Sequence, residues 1–86
     1  MNGYEVVVAR CAVKTLASLP RSEQQRVRAA IDLLAAEPRP PGCIALEGEP
    51  GVYRVRVGDH RIVYEVHDQQ LVIQVIRVGH RRDVYR

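Results

Sequence analysis

Phenylalanine and tryptophan are absent from this 86-residue sequence, and tyrosine occurs four times. With no large apolar ring available, the core has to be aliphatic, with Val, Leu, Ile and Ala packed against a few tyrosines. Cysteine occurs only as Cys11 and Cys43, with no CxxC spacing and no histidine pair at metal-ligand spacing. That excludes a zinc site or a disulfide framework as the organising device, and no metal or cofactor is expected. Long apolar runs are missing as well. The aliphatic stretches 6–9 and 33–36 fall far short of the roughly 20 residues a membrane span requires. The N-terminus has no charged segment followed by an apolar stretch of about 7 to 15 residues, as a secretory signal would. The expectation is a soluble, cytoplasmic protein with no membrane partner.

Lysine is the last scarcity. Lys14 is the sole lysine among thirteen basic residues, and the other twelve are arginine. The arginines are unevenly spread. Residues 1–50 balance six basic groups (Arg10, Lys14, Arg21, Arg26, Arg28, Arg39) with six acidic ones, whereas residues 51–86 set seven arginines against Asp59, Glu65, Asp68 and Asp83. The whole net charge of +3 therefore lies in the C-terminal part, residues 51–86. Arginine grips phosphate with a planar fork of donors, so a nucleic-acid partner is favoured over a membrane surface. A G+C-rich genome gives the same arginine bias, and that reading stays open at this point. At this length the chain forms one domain, residues 1–86, since a fold of this size already leaves about 40% of its unfolded surface exposed.

Residues 4–9 form a β-branched run that predicts a buried first strand. Ala12, Val13, Leu16 and Leu19 recur at helical spacing. Pro20 then breaks that helix and suits the first position of another, where its missing N–H costs nothing. In the second helix Val27, Ala30, Ile31 and Leu34 share a face, and the helix should end before Pro38. Residues 38–51 hold four prolines and three glycines and are expected to be a surface connection, pinned to the core by Ile44 and Leu46. Strands are predicted at 52–57, 60–67 and 71–78, followed by a polar tail from Gly79 to Arg86. The fold class is α+β, in the order β-α-α-β-β-β, with two N-terminal helices packed on one face of a small antiparallel sheet. The opposite face is left open.

Gly58-Asp59 is a Gly-first two-residue hairpin signal and fixes the register around it. Val57 faces His60, Arg56 faces Arg61, Val55 faces Ile62, Arg54 faces Val63 and Tyr53 faces Tyr64. Because strand side chains alternate, Tyr53, Val55, Val57, Ile62, Tyr64 and Val66 take the core face, with His60 at its turn end. Arg54, Arg56 and Arg61 take the other face. A turn at Asp68-Gln69 would pair Val66 with Leu71, Tyr64 with Ile73 and Ile62 with Val75. Like charges directly opposite each other on neighbouring strands are destabilising by a few tenths to about 1 kcal/mol. Arg56 against Arg61 therefore breaks a local rule, as surfaces that serve a ligand do, and clustered guanidiniums are repaid by a phosphate chain. The bland alternative is a solvated face on which Arg54 is partly neutralised by the diagonal Glu65. His67 lies six residues beyond Arg61 and outside this cluster. Tyr4, Tyr53 and Tyr64 read as core rings, Cys11 and Cys43 as packing or loop residues, and His80 as an exposed tail residue.

Two segments carry a resemblance: Tyr53-Arg-Val-Arg-Val-Gly-Asp-His-Arg-Ile-Val-Tyr64 and Val78-Gly-His-Arg-Arg-Asp-Val-Tyr85. With Leu19-Pro20 between the helices and Leu46-Glu-Gly48 before the hairpin, the chain resembles the RelE branch of the RelE/ParE toxins of bacterial type II toxin–antitoxin systems. The resemblance implies a ribosome-dependent endoribonuclease that binds and cuts messenger RNA, inhibits translation and is held inactive by a cognate antitoxin. Contact with operator DNA is implied only through that antitoxin. The implied chemistry is attack of a ribose 2′-OH on the adjacent phosphate. By position, Arg54 and Arg56 match the family's basic hairpin pair, Arg61 its phosphate-binding arginine, Arg81 its post-strand arginine and Tyr85 its base-stacking tyrosine. The hairpin pair is often lysine in the family. A guanidinium keeps its proton and is a poor general base, so Arg54 and Arg56 are expected to stabilise charge in the transition state. Two alternatives stand beside this one: a ParE-like poison of DNA gyrase acting by protein contact, and a catalytically inactive RNA-binding relative.

Overall fold

The computed structural model describes residues 3–80. Its elements are β1 (Glu5–Val8), α1 (Arg10–Ser18), α2 (Arg21–Ala36), β2 (Ile44–Ala45), β3 (Val52–Val57), β4 (His60–His67) and β5 (Val72–His80). The strands form one sheet in the order β1-β5-β4-β3-β2, with both helices on one face. The sheet is mixed: β1 runs parallel to β5 and the remaining neighbours are antiparallel. Among the described residues no helix is long and apolar enough to cross a membrane.

The helices follow the apolar spacing. Ala12 and Leu16 of α1 and Val27, Ile31 and Leu34 of α2 are buried, and Ala30 is half-buried against the same core. Val13, expected on the buried stripe, is half exposed, because α1 packs mainly on β5 and leaves its outer flank uncovered. Pro20 sits one position before the helix, with ψ 149°, and its carbonyl accepts the Gln24 N–H at 2.8 Å. Proline drives the preceding Leu19 out of the α region, and ψ 151° at Leu19 ends α1 there. The core that results centres on Ile62, Tyr64, Ile73 and Val75, each with no exposed surface. The Tyr64 hydroxyl donates to the Pro38 carbonyl at 2.7 Å, and burial pushes its pKa well above the usual phenol range.

Three expectations are corrected. The first strand is an edge strand, not a buried one: Val6 and Val8 tuck under the helices while Glu5 and Val7 face solvent. Within the 38–51 connection, Ile44 and Ala45 pair with Arg54 and Tyr53 as a two-residue strand, and Ile44 is 50% exposed. It therefore does not pin the connection; Leu46 is partly buried and donates its N–H to Val52 at 2.9 Å. The third correction concerns β4 and β5. A four-residue turn, 68–71, with Leu71 at φ +56°, pairs Val66 with Ile73 and Tyr64 with Val75, and a bulge between Val63 and Tyr64 then pairs Ile62 with Val78. The first pairs differ from expectation by two residues, which preserves faces because the side-chain period is two. The bulge adds one residue to β5 and moves Val78 into the core. The strand also continues through Gly79 and His80, two residues past its expected end.

A polar clasp closes the sheet at the end away from the Gly58 turn. Arg39 donates through Nη2 to Asp68 at 2.8 Å and through Nε to the Tyr53 hydroxyl at 3.0 Å. Its guanidinium lies 5.1 Å from the Tyr53 ring centre, and the Tyr4 hydroxyl donates to Asp68 at 2.7 Å. The hydrogen bond from Arg39, followed by the one from Tyr4, holds the Asp68 carboxyl below its usual range. A lowered carboxylate contributes stability above its unfolded value of about 3.9, and this is lost as pH falls through the folded value. Asp68→Asn should therefore lower the melting temperature at pH 7, with the gap to the parent closing below about pH 4. Thermal melts across pH 3 to 8 check this, and a gap that did not narrow at all between pH 7 and pH 3 would show that the clasp is not ionic.

Candidate nucleic-acid interface

The β3–β4 hairpin has the register its turn dictates, with Arg56 opposite Arg61 and Arg54 opposite Val63. Gly58, at the first turn position, has φ +60°, a conformation that glycine adopts without penalty. A Cβ there would stand 3.3 Å from the Arg26 guanidinium of α2, so that arginine lies against the turn.

Strand pairing across the sheet extends the hairpin into two rows on the face away from the helices. One row runs Ile44–Arg54–Val63–Arg77 and the next Arg56–Arg61–Gly79. Arg54, Arg56 and Arg61 are thus brought together on one face. Arg77 joins them through the β5 bulge, which puts it opposite Val63, and Arg77 and Ile44 are the residues of this face that sequence reasoning missed. The signal for Arg77 is the consecutive apolar pair Val75-Ile76, which interrupts strict alternation and marks a bulge.

The face is less open than expected. Val63 is 8% exposed, and it lies in its row between Arg54 and Arg77. Arg54 and Arg61 are half-buried while Arg56 and Arg77 are exposed. In Arg61 both Nε and Nη1 are withdrawn from solvent. Between the rows and the 38–51 connection lies a cavity of about 310 Å³ lined by Pro41, Gly42, Ile44, Arg54, Arg56 and Arg61.

The histidines lie elsewhere. His60 is buried on the helix side, with Nε2 at 3.5 Å from Glu23 and its ring edge-on to His80 at 6.0 Å. Since His60 and His80 are register partners, His80 is on the face opposite the arginines. Nε2 of His67 lies 2.8 Å from the Glu65 carboxylate. Tyr53 and Tyr64 stack at 6.0 Å as part of the core side. The Cys11 thiol donates to the Ile76 carbonyl at 3.2 Å, within the bulged stretch of β5. Arg81 and Tyr85 lie outside the described residues.

Comparison with known proteins follows the fold closely. The RelE–RelB complex of Pyrococcus horikoshii OT3 contains a chain 34% identical, superposing with a TM-score of 0.84 over 96% of this chain and 99% of that one. The RelBE2 toxin–antitoxin complex of Mycobacterium tuberculosis gives 26% identity and a TM-score of 0.80, covering 91% of this chain and 98% of its counterpart. The isolated RelE toxin of E. coli gives 27% and 0.79, with 95% and 90% covered. Residues 7–85 match the family described as "ParE toxin of type II toxin-antitoxin system, parDE". The chain therefore belongs to that family, and so to the RelE/ParE superfamily of type II toxin–antitoxin toxins.

Proposed function

We propose that this toxin is a ribosome-dependent messenger-RNA endoribonuclease restrained by a cognate antitoxin. The observation that carries the reading is the direct opposition of Arg56 and Arg61, with Arg54 and Arg77 in the adjoining row. Clustered guanidiniums of this kind match the charge and geometry of a phosphate chain. In the proposed reaction the ribose 2′-oxygen attacks the adjacent phosphorus and gives up its proton. The bond from phosphorus to the 5′-oxygen breaks, and that oxygen takes a proton, leaving a 2′,3′-cyclic phosphate and a 5′-OH end. Charge builds on the non-bridging oxygens, and fixed guanidiniums aimed at them supply electrostatic stabilisation, often the largest catalytic contribution. Arg61 is assigned to the scissile phosphate, Arg54 and Arg56 to the developing charge, Arg81 to a neighbouring phosphate and Tyr85 to stacking on a base. The similarity to toxins solved in complex with antitoxins supports the antitoxin partner. The ribosome, by ordering the RNA, is proposed to supply the proton acceptor that arginine cannot be.

Mapping RNA ends on translating ribosomes tests this: cuts bearing a cyclic phosphate and a 5′-OH are expected. A second reading, a gyrase poison acting by protein contact, is favoured by the match to the ParE family. It requires inhibited supercoiling with no new RNA ends. If neither effect were seen while RNA still bound, the chain would be an inactive RNA-binding relative.

The all-arginine hairpin makes its own prediction. If Arg54 and Arg56 serve as fixed charges, Arg54→Lys and Arg56→Lys should each retain most activity and add no new ionisation to the pH–rate profile between about pH 6 and 9. A large gain with a new basic limb would instead show that the site lacks a titratable base. A large loss would show that the bidentate fork itself is required.

A further inference from the structure

Beside the arginine rows lies an apolar surface to which the phosphate chemistry assigns no role. Ile44 is 50% exposed and pairs directly with Arg54, one strand spacing of about 4.7–4.9 Å away. A lone exposed isoleucine is ordinary, but this one lines the same cavity as Pro41, Arg54, Arg56 and Arg61. Pro41 is held over that cavity by a turn in which the Cys43 N–H donates to Pro40 at 3.1 Å and Gly42 takes φ +92°. At about 310 Å³ the space is at the lower end of the roughly 300–1,000 Å³ spanned by small-ligand sites. One flat ring system fits that size better than a run of several.

We propose that Ile44 and Pro41 form a nucleobase shelf, taking the face of one unpaired base of a single-stranded RNA whose phosphates lie on Arg54, Arg56 and Arg61. This rests on the RNA reading above and adds to it a residue pair that selects base-bearing, single-stranded substrate. A nucleotide is amphipathic at this scale: an anionic phosphate and an apolar ring face are joined through a ribose. A cationic row flanked by an aliphatic wall is complementary to both halves. A paired base keeps its faces within the stack, so the shelf excludes duplex. Contact between a ring face and a protein side chain is sequence-tolerant, because every base has such a face.

Three probes separate the parts: a fully 2′-O-methylated hexanucleotide, which has no 2′-OH to attack, its abasic counterpart, and inorganic tripolyphosphate. On the unaltered protein the base-bearing probe should bind about fivefold more tightly than the abasic one, the gain expected from burying roughly 40 Å² of apolar ring face against aliphatic side chains. Ile44→Ser should erase that difference while leaving the abasic probe and tripolyphosphate unchanged, and Ile44→Leu should restore it. Arg56→Ala should weaken all three. The shelf is overturned if bases add no affinity, if Ile44→Ser weakens all three probes alike, or if it spares all three and weakens only the complex with purified antitoxin. In each of those cases the arginine reading survives as long as Arg56→Ala still weakens binding. If Arg56→Ala leaves all three unchanged, the phosphate reading falls, whatever Ile44 does.

Discussion

Arg61→Ala should relieve growth arrest at equal expression and lower RNA cleavage on translating ribosomes by about 10²-fold or more, the usual cost of deleting one preorganised charge-stabilising donor. Arg61 is chosen over its neighbours because it occupies the middle of its row, between Arg56 and Gly79, and because it is half-buried. A charge partly withdrawn from water interacts with an anion more strongly than one that is fully hydrated. The expected loss is functional rather than a failure to fold. Removing the side chain relieves its opposition to Arg56, worth a few tenths to about 1 kcal/mol, which offsets part of the packing lost with its stem. A melting temperature within a few degrees of the parent, together with lost cleavage, is the expected result. A variant that stayed fully toxic at equal expression would remove Arg61 from the site.

How much of this was legible in the sequence differs from hairpin to hairpin. The β3–β4 register was readable because Gly58-Asp59 permits few turn geometries and because apolar residues alternate on both strands. A slip of one residue there would bury arginines. The β4–β5 register was not readable from its turn. The stretch from Asp68 to Leu71 has no glycine, and the left-handed position is taken by Leu71, a residue that gives no advance sign of φ > 0. The bulge that follows decides the face of every later β5 residue, and so it hid Arg77. The parallel pairing of β1 with β5 joins residues almost 70 positions apart in the register Glu5 to Val72, and no local pattern encodes such a contact. Ile44 was misread for a related reason: in a proline-rich connection an isolated apolar residue looks like an anchor, whereas its pairing with Arg54 turns it toward the arginine face. Of the residues assigned to the site, Arg54, Arg56 and Arg61 were legible because hairpin chemistry alone places them. Arg81 and Tyr85 rest on the family motif.

The conflict between Arg56 and Arg61 yields the sharpest expectation, because stability and function should move in opposite directions. Arg56→Glu converts a like-charge cross-strand pair into an attractive one, a swing of about 1 kcal/mol. In a domain of this size that raises the melting temperature by about 4–8 °C. Arg56 is exposed, so the gain should shrink in 1 M salt, where the screening length falls to about 3 Å. The same substitution puts a carboxylate where RNA phosphate is proposed to lie, and cleavage should fall by at least about 10²-fold. A variant that is more stable, salt-sensitive and inactive would show that the face is kept strained for its ligand. If stability fell along with activity, the opposed arginines would already be accommodated by their surroundings. The argument from a broken pairing rule to a phosphate-binding surface would then lose its premise.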